Sequence, residues 1–391
     1  MHGGTYTSKR VIRERQPEFT ESGRDIRIDI CRGIALWWIF LDHVPNNIGS
    51  WLTPRNYGFS DAAELFMFIS GVTCALAYGR ARQREGWSGM ISRSLRRGWD
   101  IYAAFLLLTL ACTIVVYLAG SDNLADGSNT RILFEQPGAT LAHAAILQYR
   151  PVNTDILPVF VIYHVLFAPL LWLLLRAPNL TLGGSLLLYA LVHVFGWSVP
   201  AWPNTVWFFN PLAWQFLMVL GAWSVIQGKK CRPWMASRVA LVLAVLYLVF
   251  SLVIALSCSI TPRSLPNFFS PLDKSNLSPL RLLHFVALAI VALRFIPQDW
   301  RGLATPAMRC ARCCGENSLP IYCLGVLLAL ASHLTLLDIS GRLAMQIVLS
   351  FAGILVMIVV AKLLNSIGIK RSGQPRWAQP AEHVTRTFSN Y

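Results

Sequence analysis

Ten stretches of this chain are apolar over roughly 20 residues each, the length needed to cross the hydrocarbon core of a bilayer. They cover about 30–50, 62–80, 100–120, 156–176, 182–202, 208–228, 237–257, 280–297, 318–336 and 342–364. Hydrocarbon offers a backbone N–H or C=O no partner, so each run must make its hydrogen bonds within itself, as a helix. The expected fold is therefore all-α, a polytopic bundle of about ten transmembrane helices. Composition agrees, with 55% hydrophobic and only 14% charged residues and a mean hydropathy of +0.50.

A net charge of +15 suggests nucleic acid only until the cations are placed. They lie in the connections and tails between apolar runs. If the N-terminus is cytoplasmic, 26 Lys and Arg fall on the cytoplasmic side and 7 outside, with Arg32 inside a span. That asymmetry is the positive-inside signature and predicts that both termini are cytoplasmic. Residues 1–24 and 372–391 are polar, Pro-bearing and without periodicity, so they are expected to be disordered tails around one membrane domain, 25–371. Residues 1–28 contain no apolar core of a signal peptide, so the span beginning near Ile30 is expected to be the first inserted and to be retained. In the long external segment 121–155, LAHAAILQY reads as a short helix at the outer surface. Of nine cysteines, Cys31, Cys74, Cys112 and Cys323 stand alone in apolar runs as small hydrophobes. The cluster Cys310, Cys313 and Cys314 lacks a fourth ligand for zinc, so no metal is expected.

The first two spans carry Arg32, Asp42, His43 and Glu64. Each charge in hydrocarbon costs about 2.5 to 3.5 kcal/mol on insertion scales, so these side chains must line something polar. Arg32 and His43 are eleven residues apart, about three helical turns, which places them on one face roughly 16 Å apart along the axis. His43 and Glu64 share a depth near the outer surface, where a carboxylate beside an imidazole suits a general base taking a hydroxyl proton. Asp42 points about 100° away from His43 and is expected to contact a neighbouring helix. A packing role is the alternative for Arg32, His43 and Glu64, but it does not explain three such costs in one pair of spans. Arg93, Arg96 and Arg97 gather at the cytoplasmic mouth of the third span. Topological bias accounts for them as well as phosphate recognition does. Later spans place Asp155 and His164, Asn210 with Trp214 and Gln215, Arg281 with His284, and His333 toward their outer ends. Several such groups at one depth predict an aqueous cavity, and Trp beside amides and charges suits a carbohydrate.

The Arg, ten residues, His spacing and ELFMFISG at 64–71 resemble the opening of the acyltransferase-3 superfamily of membrane acyltransferases. The stretches RDIRIDICRGIALWWIFLDHVPNN, WFFNPLAWQFLMVLGA at 207–222 and LDKSNLSPLRLLHFVALA at 272–289 are similar to the related OpgC family, over about residues 25–365. The resemblance implies a multi-pass protein of the bacterial inner membrane, surrounded by lipid, that succinylates osmoregulated periplasmic glucans. The donor would be a cytoplasmic acyl-CoA, succinyl-CoA in that family, acting as co-substrate with no bound cofactor. The acceptor would be the glucan, with glucan biosynthesis proteins as partners and no nucleic acid. By position it implies His43 and Glu64 as catalytic, with Arg32, Arg93, Arg96 and Arg97 toward the donor. Asn210, Trp214, Gln215, Lys274, Asn276, Arg281 and His284 follow as substrate-binding from depth and chemistry. The superfamily's Arg-rich motif is followed by a proline where this chain has Asp100, so the choice among Arg93, Arg96 and Arg97 stays open. A transporter of glucan or another polyol, with the buried charges as a proton relay, is the alternative; it should show paired halves with interrupted helices, and none is evident. A purely structural partner of a glucan synthase ranks third.

Overall fold

The structure is a computed structural model that describes residues 25–260, 272–297 and 299–372. The tails 1–24 and 373–391 lie outside the described residues, as does the external Arg263. Within the described residues the chain is helical almost throughout, as an all-α membrane protein should be, and helices lie on each of the expected apolar stretches.

The first helix, α1 (Ile26–His43), is capped by Asp25, whose carboxylate accepts the Arg27 N–H at 3.0 Å. It ends well short of residue 50. Pro45 disfavours helical backbone at Val44, which is extended, and Asn46 follows at φ 53°, so the chain leaves α1 in two 3-10 turns, Ile48–Leu52 and Pro54–Asn56. The second and third apolar runs lie on one long helical element, α2 (Ala62–Ala119), broken at Gly86 (φ 74°, ψ −163°). Only glycine adopts that conformation readily. Cys74 Sγ lies 3.5 Å from His164 Nε2, and Ser94 Oγ donates to the His164 carbonyl. Residues twenty apart would stand about 30 Å apart along a straight helix. Both touch one histidine, so α2 doubles back at Gly86 into two antiparallel arms.

The external segment holds α3 (Asp122–Gly127), α4 (Arg131–Glu135) and α5 (Pro137–Ala145), the last covering the expected surface stretch 141–149 only as far as Ala145. Next come α6 (Ile156–Arg176) and α7 (Pro178–Phe195), then a short antiparallel ribbon, β1 (Pro200–Ala201) with β2 (Thr205–Val206). The remaining helices are α8 (Pro211–Met235), α9 (Arg238–Ile260), α10 (Pro279–Phe295), α11 (Pro306–Glu316), α12 (Ser318–Asp338) and α13 (Leu343–Ser372). Among the described residues, α2, α6, α7, α9, α12 and α13 are long and apolar enough to cross a membrane. On α9 the exposed Val239, Val242, Leu246, Val249 and Val253 recur at helical spacing, while small Ala240, Ala244 and Ser251 are buried. An outward stripe of large apolar side chains over an inward face of small ones is how a helix meets lipid and its neighbours at once.

Side-chain contacts sort the helix ends into two sets. Asn47 meets Ser350, Lys274 meets Asp61, Asn210 meets Asn276, and Tyr189 meets the Leu277 carbonyl, which gathers the α1 C-terminus with the starts of α2, α8, α10 and α13 and the latter half of α7. At the other end, Arg27 reaches the Ile296 carbonyl and Asn317 meets Asn365. Gly71 and Gly221 set the crossing of α2 and α8. A Cβ on Gly71 would collide with the Met218 carbonyl, and one on Gly221 with that of Phe68.

Candidate active site

At the end where α1 stops, a cavity of about 390 Å³ opens between helix termini. Asp42 and His43 come from α1, Arg55 from the loop, Asp61 from the start of α2, and Asp155 from the start of α6. Phe208, Phe209, Lys274, Arg281 and Tyr322 complete the polar and aromatic wall. His43 is the last residue of α1, and its Nδ1 is buried without a hydrogen-bond partner among the described residues. Asp42, which the sequence aims at a neighbouring helix, instead accepts from Thr53 Oγ1 at 2.8 Å in the loop that follows.

Asp61 and Glu64 form a capping box at the α2 N-terminus. Asp61 accepts the Ala63 N–H at 2.8 Å and its own N–H donates to Glu64 Oε2 at 2.8 Å. The other Glu64 oxygen accepts Arg281 Nε at 2.7 Å. Both Glu64 oxygens are thus occupied, and among the described residues no hydrogen bond joins Glu64 to His43. The expected carboxylate–imidazole pair is replaced by a carboxylate–guanidinium pair, because Arg281 projects from α10 at the same depth. Asp61 Oδ2 collects the remaining charge, from Lys274 Nζ at 2.6 Å and an Arg281 terminal nitrogen at 3.1 Å. Burial alone would push the Asp61 carboxyl up, but Lys274 and Arg281 outweigh it and hold it well below the usual carboxylate range.

Several residues expected at a sugar have their polar atoms engaged in placing Lys274. Trp214 is fully buried, and its Nε1 donates to the Lys274 and Ser275 carbonyls, both at 3.1 Å. Asn210 caps α8 by accepting the Leu212 N–H at 3.0 Å and donates to Asn276 Oδ1 at 2.8 Å and to the Trp197 carbonyl at 2.6 Å. Gln215 is turned to Ser185 of α7, donating to its carbonyl at 2.9 Å. His284 Nδ1 accepts the Ser60 N–H at 3.2 Å. A backbone N–H can only donate, so this nitrogen carries no proton and the ring's N–H is at Nε2. Lys274 and Arg281 alone of the expected substrate group line the cavity.

A second, narrower cavity of about 50 Å³ lies deeper, against Arg32, Ser70, Cys74, Arg97, His164 and Tyr322. Arg32 donates to Thr73 Oγ1 at 3.3 Å. Of the three arginines at the mouth of the third span, Arg97 faces this cavity; Arg93 is exposed and paired with Glu85, and Arg96 is exposed. His164, expected near the outer surface, sits in this inner cavity because α6 continues inward past Ile156 to the returning arm of α2. His333 lines neither cavity.

Among the residues that sequence reasoning did not assign to the site are Asp61, Tyr322, Phe208 and Phe209. Asp61 carried a local signal, since Asp three residues before Glu at the head of an apolar run is a capping box. The others carried none, being ordinary aromatic residues until the helices assemble.

No curated protein and no solved structure matches the chain. The family model described as OpgC protein matches residues 24–368, the whole of the helical domain from the cap of α1 to the end of α13's apolar stretch. With most of its length matched, and with Arg32, His43, Lys274 and Arg281 all inside the match, the chain belongs to the OpgC protein family.

Proposed function

We propose that the protein is an integral membrane O-acyltransferase of ten spans, with both termini cytoplasmic, in the bacterial inner membrane. It moves an acyl group, succinyl by the family resemblance, from cytoplasmic acyl-CoA to a hydroxyl of a periplasmic glucan. One observation carries the reading: two cavities that share Ile156 and Tyr322 are both lined by α1, with Arg32 on the inner one and His43 on the outer one. A bound cation and a titratable imidazole stand about 16 Å apart on one helix face, the arrangement needed when donor and acceptor arrive from opposite sides.

In this reading Arg97 and Arg32 hold the donor by charge from the cytoplasmic side. His43 takes the proton of the acceptor hydroxyl as its oxygen attacks the thioester carbonyl. The tetrahedral intermediate collapses with loss of the CoA thiolate, which receives that proton. Lys274 and Arg281 lie where negative charge develops on the carbonyl oxygen, and their balance with Asp61 and Glu64 keeps them in place when no substrate is bound. Phe208 and Phe209 offer apolar ring faces to a sugar. Glu64 acts through Arg281, and Asn210, Trp214 and Asn276 act by holding the Lys274 loop.

The test is the acyl content of glucan made by a strain carrying His43→Ala. Glucan lacking acyl groups from a strain that accumulates the protein supports the assignment. Normal acyl content would remove His43 from the chemistry.

A further inference from the structure

Ile156 and Tyr322 are the two residues that line both cavities. Each is nearly inaccessible, Ile156 at 5% and Tyr322 at 4% exposure. Neither is placed to move easily. Tyr322 is tethered at its tip, its hydroxyl donating to the Asn153 carbonyl at 2.6 Å. Asn153 presents that carbonyl from a turn with φ 70°, a left-handed conformation that Asn tolerates better than most residues. Ile156 is the first residue of α6, and its branched side chain has little rotamer freedom in a helix. The residue before it, Asp155, is anchored by Arg150 Nε at 2.8 Å. The two side chains therefore form a stiff partition between a space of about 50 Å³ and one of about 390 Å³.

We propose that Ile156 and Tyr322 form the acyl-selecting constriction of the enzyme: the acyl end of the donor reaches His43 only between these two side chains, and their bulk sets which acyl groups are transferred. The inference rests on the acyl-transfer reading above and adds to it the residues that decide donor size. Selection at such a point is steric. One methylene too many for a packed apolar passage is discriminated by roughly 10- to 200-fold, and shortening the wall should give much of that back.

The experiment uses the full-length protein in lipid nanodiscs with purified glucan and a donor series of acetyl-, succinyl-, glutaryl- and adipyl-CoA, with transfer read by mass spectrometry. Ile156→Ala should raise the rate with the longer donors relative to the preferred one by about tenfold or more. Tyr322→Phe keeps the ring but cuts the tether to Asn153, and should move the ratio the same way by less. Ile156→Val gives a smaller shift in the same direction and stands in if the alanine variant does not accumulate. Leu166→Ala, at an exposed position of α6 that lines neither cavity, should leave the donor ratio unchanged. A donor ratio identical to wild type in the Ile156 and Tyr322 variants, while each still transfers the preferred group, overturns the constriction and leaves the acyltransferase standing. Wild-type protein that transfers nothing from any donor overturns the acyltransferase reading itself, and the constriction with it.

Discussion

The outer and inner cavities share two side chains, yet they are built from different material. The outer one lies where α2, α6, α8 and α10 all begin. Helix N-termini present unpaired N–H groups and positive dipole ends, so carboxylates are readily held there: Asp61 and Glu64 by the first turn of α2 and by Arg281, and Asp155 beside α6 by Arg150. α1 arrives from the opposite direction and brings a histidine on its last turn, buried there with its Nδ1 unpartnered among the described residues. The inner cavity also touches the first residues of α6 and α12, but apart from Ser318 its polar side chains come from within helices, where backbone groups are already satisfied. Of its polar groups, Arg32 reaches Thr73 of α2 and Cys74 meets His164 of α6 across helices, while Ser70 and His164 also turn to the Phe66 and Phe160 carbonyls of their own helices. The lesson is that charge is cheap to place where helices start and costly where they cross. A dense charged network marks the first place, and a few well-separated cations mark the second.

This contrast can be broken at several points. The largest expected effect is at His43: His43→Ala should lower transfer on the order of 10²- to 10⁴-fold, the usual contribution of a general base, without loss of inserted protein. Transfer by the purified variant within a few-fold of wild type would show that the outer cavity works without its imidazole.

Next comes the network itself. Arg281→Met leaves Glu64 and Asp61 buried with too little positive charge, and should destabilise the fold by about 3 to 5 kcal/mol. Adding Glu64→Gln should recover part of that loss, because the stranded charge goes with it. Thermal unfolding of the purified single and double variants decides it, and an equal loss in both would mean that Glu64 and Arg281 are not energetically coupled. Glu64→Gln alone should reduce transfer less than His43→Ala does, since Glu64 acts through Arg281.

The inner cavity should answer differently. Arg97→Ala is expected to raise the donor KM by about tenfold with kcat largely kept, as when one charged contact to a phosphate is lost. Arg96→Ala, whose side chain is exposed, should stay within about twofold of wild type. Steady-state kinetics against acyl-CoA separates the two, and equal KM values would return the whole basic loop to a purely topological role.

The smallest effect belongs to the scaffold. Asn210→Ala removes the cap of α8 and the bond to Asn276, and should cost on the order of 1 kcal/mol in stability. A modest rise in acceptor KM should accompany it as the Lys274 loop loosens. Full stability with unchanged KM would show that Trp214 and Tyr189 hold that loop unaided.

Much of the architecture was legible before any helix was placed. The length of each apolar run set the helical class, and the Lys and Arg asymmetry set the expected orientation. Breaks were legible where a residue type forces them, as Pro45 ends α1. The reversal inside α2 was legible as two runs joined by a basic loop, but its hinge at Gly86 was not, because a glycine in such a loop has many roles open to it. In the site, the charged residues of the first two spans were visible because their burial is expensive wherever they go.

The chain by itself thus determined that a charged group must be satisfied and roughly at what depth, since depth follows from spacing along a helix of fixed rise. Which partner satisfies it was decided only when helices distant in sequence came together. Glu64 looks toward His43 in the sequence and pairs with Arg281, 217 residues away. Trp214 and Asn210 look like sugar contacts and instead brace a loop 60 to 66 residues on. Tyr322 became a candidate constriction only by standing where two cavities touch. Hydrogen bonds have reaches of about 3 Å, and that distance between side chains is set by helix packing, which no local pattern along the chain encodes.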